Sequence, residues 1–263
     1  MPRKTKDNIE QAIVCDYSQG FGVMELANMY ELNRCTIQRI LKRNNIVLRK
    51  RAPVHYNVNF FDDYNINSCY WAGFIASDGY VRSDRNAVSI HLSNLDIDHL
   101  RKISTATNFL GNIHSYEHDC YVSFAGEWFK NALADNFDIF PRKTFDVQIS
   151  NKIPNDMIVH FLRGYFDGDG CITSTEGYLR INFSSGSTGL LNQIVEYIYD
   201  NGVRVRNECG KPKISNDCLI AYSCENAYKI LDMLYSGSTE LTRLNRKYDL
   251  YLRWKQYEQS RYQ

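Results

Sequence analysis

No run of side chains is long and apolar enough to cross a bilayer. The longest stretch without a strongly polar residue, Cys69 to Ala76, is eight residues, against the roughly 20 that a spanning helix needs. The N-terminus opens Pro-Arg-Lys-Thr-Lys with no apolar stretch behind it, so the sequence predicts neither a membrane partner nor a secretory signal. Paired cysteines are missing too: the eight (15, 35, 69, 120, 171, 209, 218, 224) are dispersed, with no Cys-x-x-Cys spacing. The six histidines (55, 91, 99, 114, 118, 160) do not gather beside any two of them. This spacing argues against a disulfide framework and a zinc site. The thiols are expected to be reduced, in an intracellular compartment, with bacterial or phage-host cytoplasm favoured over an organelle. With 263 residues, 44% apolar and 23% charged, the chain can bury one large core or two modest ones, and disorder is not expected.

Net charge is also scarce, at +1, but unevenly spread. Residues 1–55 hold ten basic side chains against five acidic ones, and the remaining 208 residues hold 21 against 25. A small basic module followed by a larger, slightly acidic one suits a nucleic-acid binder whose second part carries out chemistry. In the small module, Ile9, Ala12 and Ile13 give one short amphipathic stretch, and Val23, Leu26, Ala27 and Tyr30 give a second. After a turn at Leu32-Asn33, a third runs from Arg34 to Asn44 with Ile37, Ile40 and Leu41 on one stripe. The pattern predicts a helix-turn-helix over residues 1–46, with Arg34 among the DNA-contacting residues, Thr36, Gln38 and Arg39 towards base edges and Lys42 and Arg43 on phosphates. A three-helix bundle with a charged face has the same pattern. The segment resembles the DNA-binding modules of invertases and resolvases over about 45 residues. A connector, 47–57, carries Arg49, Lys50 and Arg51 before Pro53, and suits either a phosphate-tracking linker or a solvated hinge.

The rest of the chain repeats itself. Trp71-Ala72-Gly73-Phe74-Ile75-Ala76-Ser77-Asp78-Gly79 and Leu162-Arg163-Gly164-Tyr165-Phe166-Asp167-Gly168-Asp169-Gly170 share Gly, Asp and Gly at an offset of 91. At the same offset Val81 meets Ile172, Ile90 meets Ile181, Leu92 meets Phe183 and Ile103 meets Ile194. The expected halves are 58–152 and 153–263, each reading as helix, two strands, helix, two strands, helix. Val88, Ile90 and Leu92 alternate with Ser89, His91 and Ser93; Leu179, Ile181 and Phe183 alternate with Tyr178, Arg180 and Asn182. One face of each sheet therefore needs cover, supplied by helices over Leu95–Leu110, Gly189–Asn201 and Asn226–Tyr235. The open face of the second sheet is expected to carry Arg180, Arg204, Arg206, Lys211 and Lys213 on strands and a hairpin.

Each repeat begins with a helix that ends in Asp-Gly. Ser68 and Asn155 are the expected N-caps. Gly73 with Ser77, and Gly164 with Gly168, place small residues four apart on one stripe, so the two helices can approach closely and are each other's natural partners. That pairing brings Asp78 and Asp169 to adjacent C-termini, where helix dipoles and like charge oppose it. A divalent cation reverses the sign, since hard oxygen ligands with water and phosphate are what Mg²⁺ prefers. Asp-Gly is also a common turn. A calcium loop starting at Asp167 is excluded, because its sixth position is Ile172 and its twelfth is Tyr178.

These two motifs resemble those of the LAGLIDADG homing endonucleases in their single-chain, two-motif form, from about Tyr56 to the C-terminus. The resemblance implies an α+β fold, a pseudo-symmetric tandem αββαββα repeat forming a saddle, here preceded by a small all-α domain. It implies that Asp78 and Asp169 bind the catalytic metal with the carbonyls of Ser77 and Gly168. It further implies site lysines, which match Lys143 in Pro-Arg-Lys-Thr and Lys247 in Arg-Lys-Tyr. Two departures are visible: Ala76 stands where the family pattern has an acid, which Asp167 keeps, and Trp71 replaces the opening leucine. Unequal nicking of the two strands is open on that account. The expected activity is site-specific hydrolysis of double-stranded DNA by a monomer with Mg²⁺, Mn²⁺ substituting, leaving 3′ overhangs. Ser89, His91, Arg180, Asn182, Arg204 and Arg206 are the expected base readers. A non-cleaving DNA-binding regulator and an RNA maturase remain as alternatives on the same scaffold. An intein is disfavoured, because no splicing blocks flank the repeat.

Overall fold

A computed structural model describes residues 7–19, 21–48, 56–175, 177–215 and 218–260. The chain divides into two compact units, Met1–Pro53 and Val54–Gln263. Arg49, Lys50 and Arg51 lie outside the described residues.

The first unit holds α1 (Asp7–Ser18), α2 (Val23–Met29) and α3 (Arg34–Arg43). Asn33 caps α3 by accepting the Cys35 N–H at 2.9 Å. Ile13, Tyr17, Leu26, Ala27, Ile37, Ile40 and Leu41 form its core, with Leu32, Ile46 and Leu48 packed against it. Ile9, expected on the apolar stripe of α1, is instead exposed; the buried stripe runs through Ile13 and Tyr17, spaced by four. Leu48, expected in the connector, also packs on this core.

The larger unit begins with α4 (Ile66–Asp78), β1 (Gly79–Val81), β2 (Ala87–Ser93), α5 (Ile97–Ala106), β3 (His114–Ser115), β4 (Asp119–Ala125) and α6 (Trp128–Phe137). It continues with α7 (Ile158–Asp169), β5 (Gly170–Thr175), β6 (Tyr178–Ser184), α8 (Thr188–Asp200), β7 (Leu219–Ser223), α9 (Cys224–Tyr235) and α10 (Asn245–Ser260). The first sheet runs β1-β2-β4-β3 and the second β5-β6-β7, both antiparallel. Gly79 stands opposite Ile90, whereas Gly170 stands opposite Phe183. Relative to the offset of 91 this is a slip of two residues, which keeps the same side chains on the apolar face.

Three expectations need correction. The cap of α4 is Asn65, whose side chain accepts from Asn67 N–H and Ser68 N–H, while its own N–H donates to Ser68 Oγ at 2.9 Å. Ser68 is thus the far partner of a capping box. For α7 the cap position is Met157, since residues 155–157 form a turn before Ile158. In the second half only β7 follows α8 among the described residues. Residues 203–215 run as turns closed by Val205 N to Gly210 O at 3.0 Å and Gly210 N to Asn207 O at 3.2 Å. Arg204, Arg206, Lys211 and Lys213 are therefore not on strands.

The core of the larger unit is continuous across both halves, and α4 and α7 pack together inside it. A Cβ built on Gly73 would lie 1.9 Å from the Phe161 carbonyl oxygen, and one on Gly164 would lie 1.9 Å from that of Tyr70. Each glycine thus receives the other helix's backbone, an approach that no larger residue permits.

Candidate functional site

The close crossing sets where the two acids stand. Towards the C-terminal ends of the pair, a Cβ on Gly168 would fall 1.9 Å from Ser77 Oγ and 3.3 Å from Asp78 Oδ2. Asp78 therefore reaches the end of α7 beside Asp169, as the small-residue spacing predicts. Both carboxyls keep an open side to solvent. The protein packed around the helix end, with the Asp169 charge second, pushes the Asp78 carboxyl up to about 6, against the pull of Lys247, Lys143 and Arg246. Asp169 is raised as well, mainly by the protein around it, while Tyr165 and the two lysines pull it down. The Tyr165 hydroxyl donates to the Ser184 carbonyl at 2.9 Å. A recess of about 300 Å³ opens beside Asp169, lined by Ser184, Ser185, Gly186 and Cys218.

Each helix end also receives one lysine. Lys143 Nζ donates to the Ser77 carbonyl at 3.1 Å. Lys247 Nζ lies against four carbonyls, those of Phe166 (2.7 Å), Asp167 (2.8 Å), Gly168 (3.1 Å) and Gly170 (2.6 Å). Three of these belong to the last turn of α7, whose carbonyls have no partner within the helix. The Phe166 carbonyl also accepts the Gly170 N–H, and the ammoniums offset the negative helix ends. Lys247 is 3% exposed, and burial lowers it to about 8 despite the nearby Asp167 and Asp78. Lys143 is half-buried and lowered by the same cause, with Asp169 and Asp78 acting against it. The two carbonyls that the resemblance assigns to a metal, Ser77 and Gly168, are thus the pair in contact with the two lysines.

Asp167, the motif acid missing from the first half, does not face this site. It is buried and accepts from Tyr70 Oη, Tyr235 Oη and Leu244 N, each at 2.7 Å. Burial raises it, opposed by Lys247 and those donors.

The expected DNA-contacting residues divide into several groups. Arg34, Arg39, Lys42 and Arg43 are exposed on α3, with Thr36 and Gln38 half-buried; Arg43 pairs with Glu10 at 3.3 Å. On the sheets, His91 and Arg180 are exposed and Asn182 is half-buried. Ser89 is the exception: it is only 4% exposed and its Oγ has no hydrogen-bond partner, so it is not presented as a base reader. Its neighbours on the antiparallel pairs, Tyr80 and Ser123, flank it where the alternation predicts an open face. Arg204 and Lys211 gather over the Tyr199 ring of α8, at 4.3 and 4.4 Å, and Lys211 also pairs with Glu196. Arg206 and Lys213 remain exposed.

Sequence reasoning missed a row of stacked rings across β2, β4 and β3. His91 and His114 lie on either side of Tyr121 in stacked contact at 4.9 and 4.6 Å, and Tyr116 follows at 6.2 Å. The alternation of Cys120, Val122 and Phe124 with Tyr121 and Ser123 is the signal that could have revealed it.

Among the described residues, no group of three or more His, Cys, Asp or Glu side chains is placed to hold a metal ion. The donor set at the helix ends is two carboxylates and two backbone carbonyls. Those hard oxygens fit Mg²⁺ when water and phosphate complete the shell.

Residues 156–233 match the family model described as a LAGLIDADG-like domain. No curated protein matches the chain in sequence. Among solved structures, the LAGLIDADG homing endonuclease I-GzeII in complex with its DNA target is 14% identical, with 74% of this chain and 89% of that one covered at a TM-score of 0.48. The LAGLIDADG meganuclease I-CpaMI bound to uncleaved DNA is 11% identical, with 76% and 93% covered at a TM-score of 0.52. The second half of the larger unit is thus similar to a LAGLIDADG-like domain over residues 156–233, and the chain shares its fold with the I-CpaMI meganuclease.

Proposed function

We propose that the chain is a site-specific double-strand DNA endonuclease, binding as a monomer and hydrolysing phosphodiester bonds with Mg²⁺, for which Mn²⁺ can substitute. One observation carries this reading: a glycine-mediated helix crossing holds Asp78 and Asp169 together although the protein packed around the helix ends disfavours both charges and Asp169 repels Asp78. Stability alone does not favour that arrangement; a cation between the acids and a phosphate backbone does.

In this reading Asp78 and Asp169, with the Ser77 and Gly168 carbonyls, hold the metal. A bound divalent ion supplies Lewis-acid stabilisation of the leaving oxygen and a more acidic water. Lys143 and Lys247 fix the two carbonyls and balance charge at the helix ends. The two sheets form the saddle on DNA, where His91, Arg180 and Asn182 meet base edges and Arg206 and Lys213 meet phosphates. The exposed basic side chains of α3 support a second, auxiliary grip on flanking duplex, so that linkage raises avidity without adding contacts at the cleavage site. We place the activity in a reducing compartment, where the eight cysteines, all free, stay thiols.

The test is a plasmid library carrying random sites, incubated with Mg²⁺ and sequenced at the cut ends. Recurrent double-strand cuts at one site are expected from the wild type, and none from Asp78→Asn combined with Asp169→Asn. Binding without cleavage in both Mg²⁺ and Mn²⁺ would instead establish a non-cleaving regulator.

A further inference from the structure

The repeat is unequal where it matters for the lysines. At the offset of 91, Asp167 corresponds to Ala76, Arg163 to Ala72, and Tyr70 to Phe161, while His99 falls on Leu190. The polar members of all four pairs lie in one buried network. Asp167 accepts from Tyr70, which in turn contacts His99 Nε2 at 3.1 Å. Since the Tyr70 hydroxyl is spent on Asp167, His99 supplies the proton of their shared bond. Arg163 donates to Thr242 O at 2.8 Å and Leu234 O at 2.9 Å, and its guanidinium lies 5.5 Å from the Tyr70 ring centroid. Leu244 N–H, three residues before Lys247, donates to the same Asp167 oxygen, Oδ2, that accepts from Tyr70, while Oδ1 accepts from Tyr235.

We infer that Asp167 is a positioning residue: through Leu244 it fixes the segment that sets Lys247 against the end of α7, and because the first half has no counterpart, the two strands are cut at unequal rates. Buried polar groups keep a unique geometry when every partner is satisfied, and the Asp167 carboxylate meets three donors from three segments of the chain. Lys247 consequently reaches four carbonyls and is nearly closed to solvent, while Lys143 reaches one and is half-buried. At position 76 an alanine, 4% exposed, offers no such anchor to the segment carrying Lys143. A reacting group displaced by about 1 Å can lose about a hundredfold in rate, so a tether on one side alone suffices to separate the strands. A nicked duplex is then the intermediate.

This inference rests on the proposed endonuclease, and its test separates the two. The selected duplex is labelled on each strand in turn, and single-turnover rates are compared for wild type, Asp167→Ala, Asp167→Asn and Tyr235→Phe. Wild type is expected to cut one strand at least about tenfold faster. Asp167→Ala should slow that strand and bring the ratio towards one. Asp167→Asn, which keeps an acceptor oxygen for Leu244 N–H, should restore most of the ratio. Tyr235→Phe removes another bond to the same carboxylate without touching the tether, and should lower Tm but leave the ratio alone. In parallel, amine acylation read by mass spectrometry should modify Lys143 and spare Lys247 in the wild type, and reach Lys247 in Asp167→Ala. If that variant does not fold, Asp167→Glu, which displaces the carboxylate by a methylene, takes its place. Equal slowing of both strands, or a Lys247 that stays protected in the variant, overturns the positioning role. A wild type that cuts neither strand, with Lys247 still protected through Asp167, overturns the endonuclease and the strand inequality while leaving the tether itself standing.

Discussion

Asp78 is an acid whose folded surroundings disfavour its charge. Its folded value, about 6, lies above its ordinary value of 3.8, so the native state holds the proton more tightly than the unfolded chain does. Stability contributed by this group therefore falls as pH rises from about 3.8 to about 6 and stays reduced above that. Asp78→Asn is expected to melt above the wild type at pH 8, with the difference closing as pH approaches 4; a pH-independent difference in Tm would contradict the raised value. Mg²⁺ should reverse the order. An ion that binds only the folded acids stabilises by about 2.7 kcal/mol at a hundred times its Kd. Wild-type Tm at pH 8 is therefore expected to climb with Mg²⁺ while that of the Asp78→Asn, Asp169→Asn variant stays flat, as read by differential scanning calorimetry. At this scale the two acids were legible because motif and repeat fix them on the backbone. Ser89 was not, since alternation assigns a face but not what neighbouring side chains leave open. The four-carbonyl setting of Lys247 was also hidden, because it depends on the start of α10 being brought back from more than seventy residues away.

The helix crossing is decided by backbone proximity. Ala at Gly73 or Gly164 would put a methyl 1.9 Å from a carbonyl oxygen of the facing helix, a clash with backbone that no rotamer relieves. Each substitution is expected to cost at least about 1–3 kcal/mol by urea unfolding, the range for overpacked cores. Gly189→Ala in α8 is the control. Its nearest neighbour is the flexible Gln148 side chain at 3.3 Å, and an alanine in a helix gains up to about 1 kcal/mol over glycine. Equal losses in all three variants would mean that the crossing is not set by those two glycines. Small residues four apart made this pairing readable beforehand, and strong apolar periodicity did the same for α5, α8 and α9. The last helix, α10, escaped notice because it buries only Lys247 and Tyr251 and shows no apolar stripe. The missing strand after α8 has a similar cause: Val203 and Val205 suggest alternation, but the chain turns at Asn207–Gly210, where Gly210 adopts φ +68°.

The two units have separate cores, which divides the expected work of binding between them. If α3 of the small unit grips phosphates, its contribution is electrostatic and appears in the salt dependence. Each phosphate contact on duplex DNA steepens the plot of log K against log salt by about 0.9. Lys42 is exposed and Arg43 is exposed apart from its ion pair with Glu10, so both are available to a backbone. Lys42→Ala should therefore flatten the slope by about 0.9, whatever the sequence of the duplex, and leave the cutting rate of bound DNA unchanged. Arg43→Ala should flatten it by less, because the free protein already spends part of that charge on Glu10 and loses the pairing on binding. Arg180→Ala on β6 should behave differently: a base-edge contact costs about 1–3 kcal/mol on the selected site and little on random DNA. Slopes measured by fluorescence anisotropy between 50 and 200 mM salt separate the two kinds of contact, since Lys42→Ala should shift specific and random duplexes together whereas Arg180→Ala should not. Parallel slopes for wild type and a variant with both Lys42→Ala and Arg43→Ala would remove the phosphate grip assigned to α3.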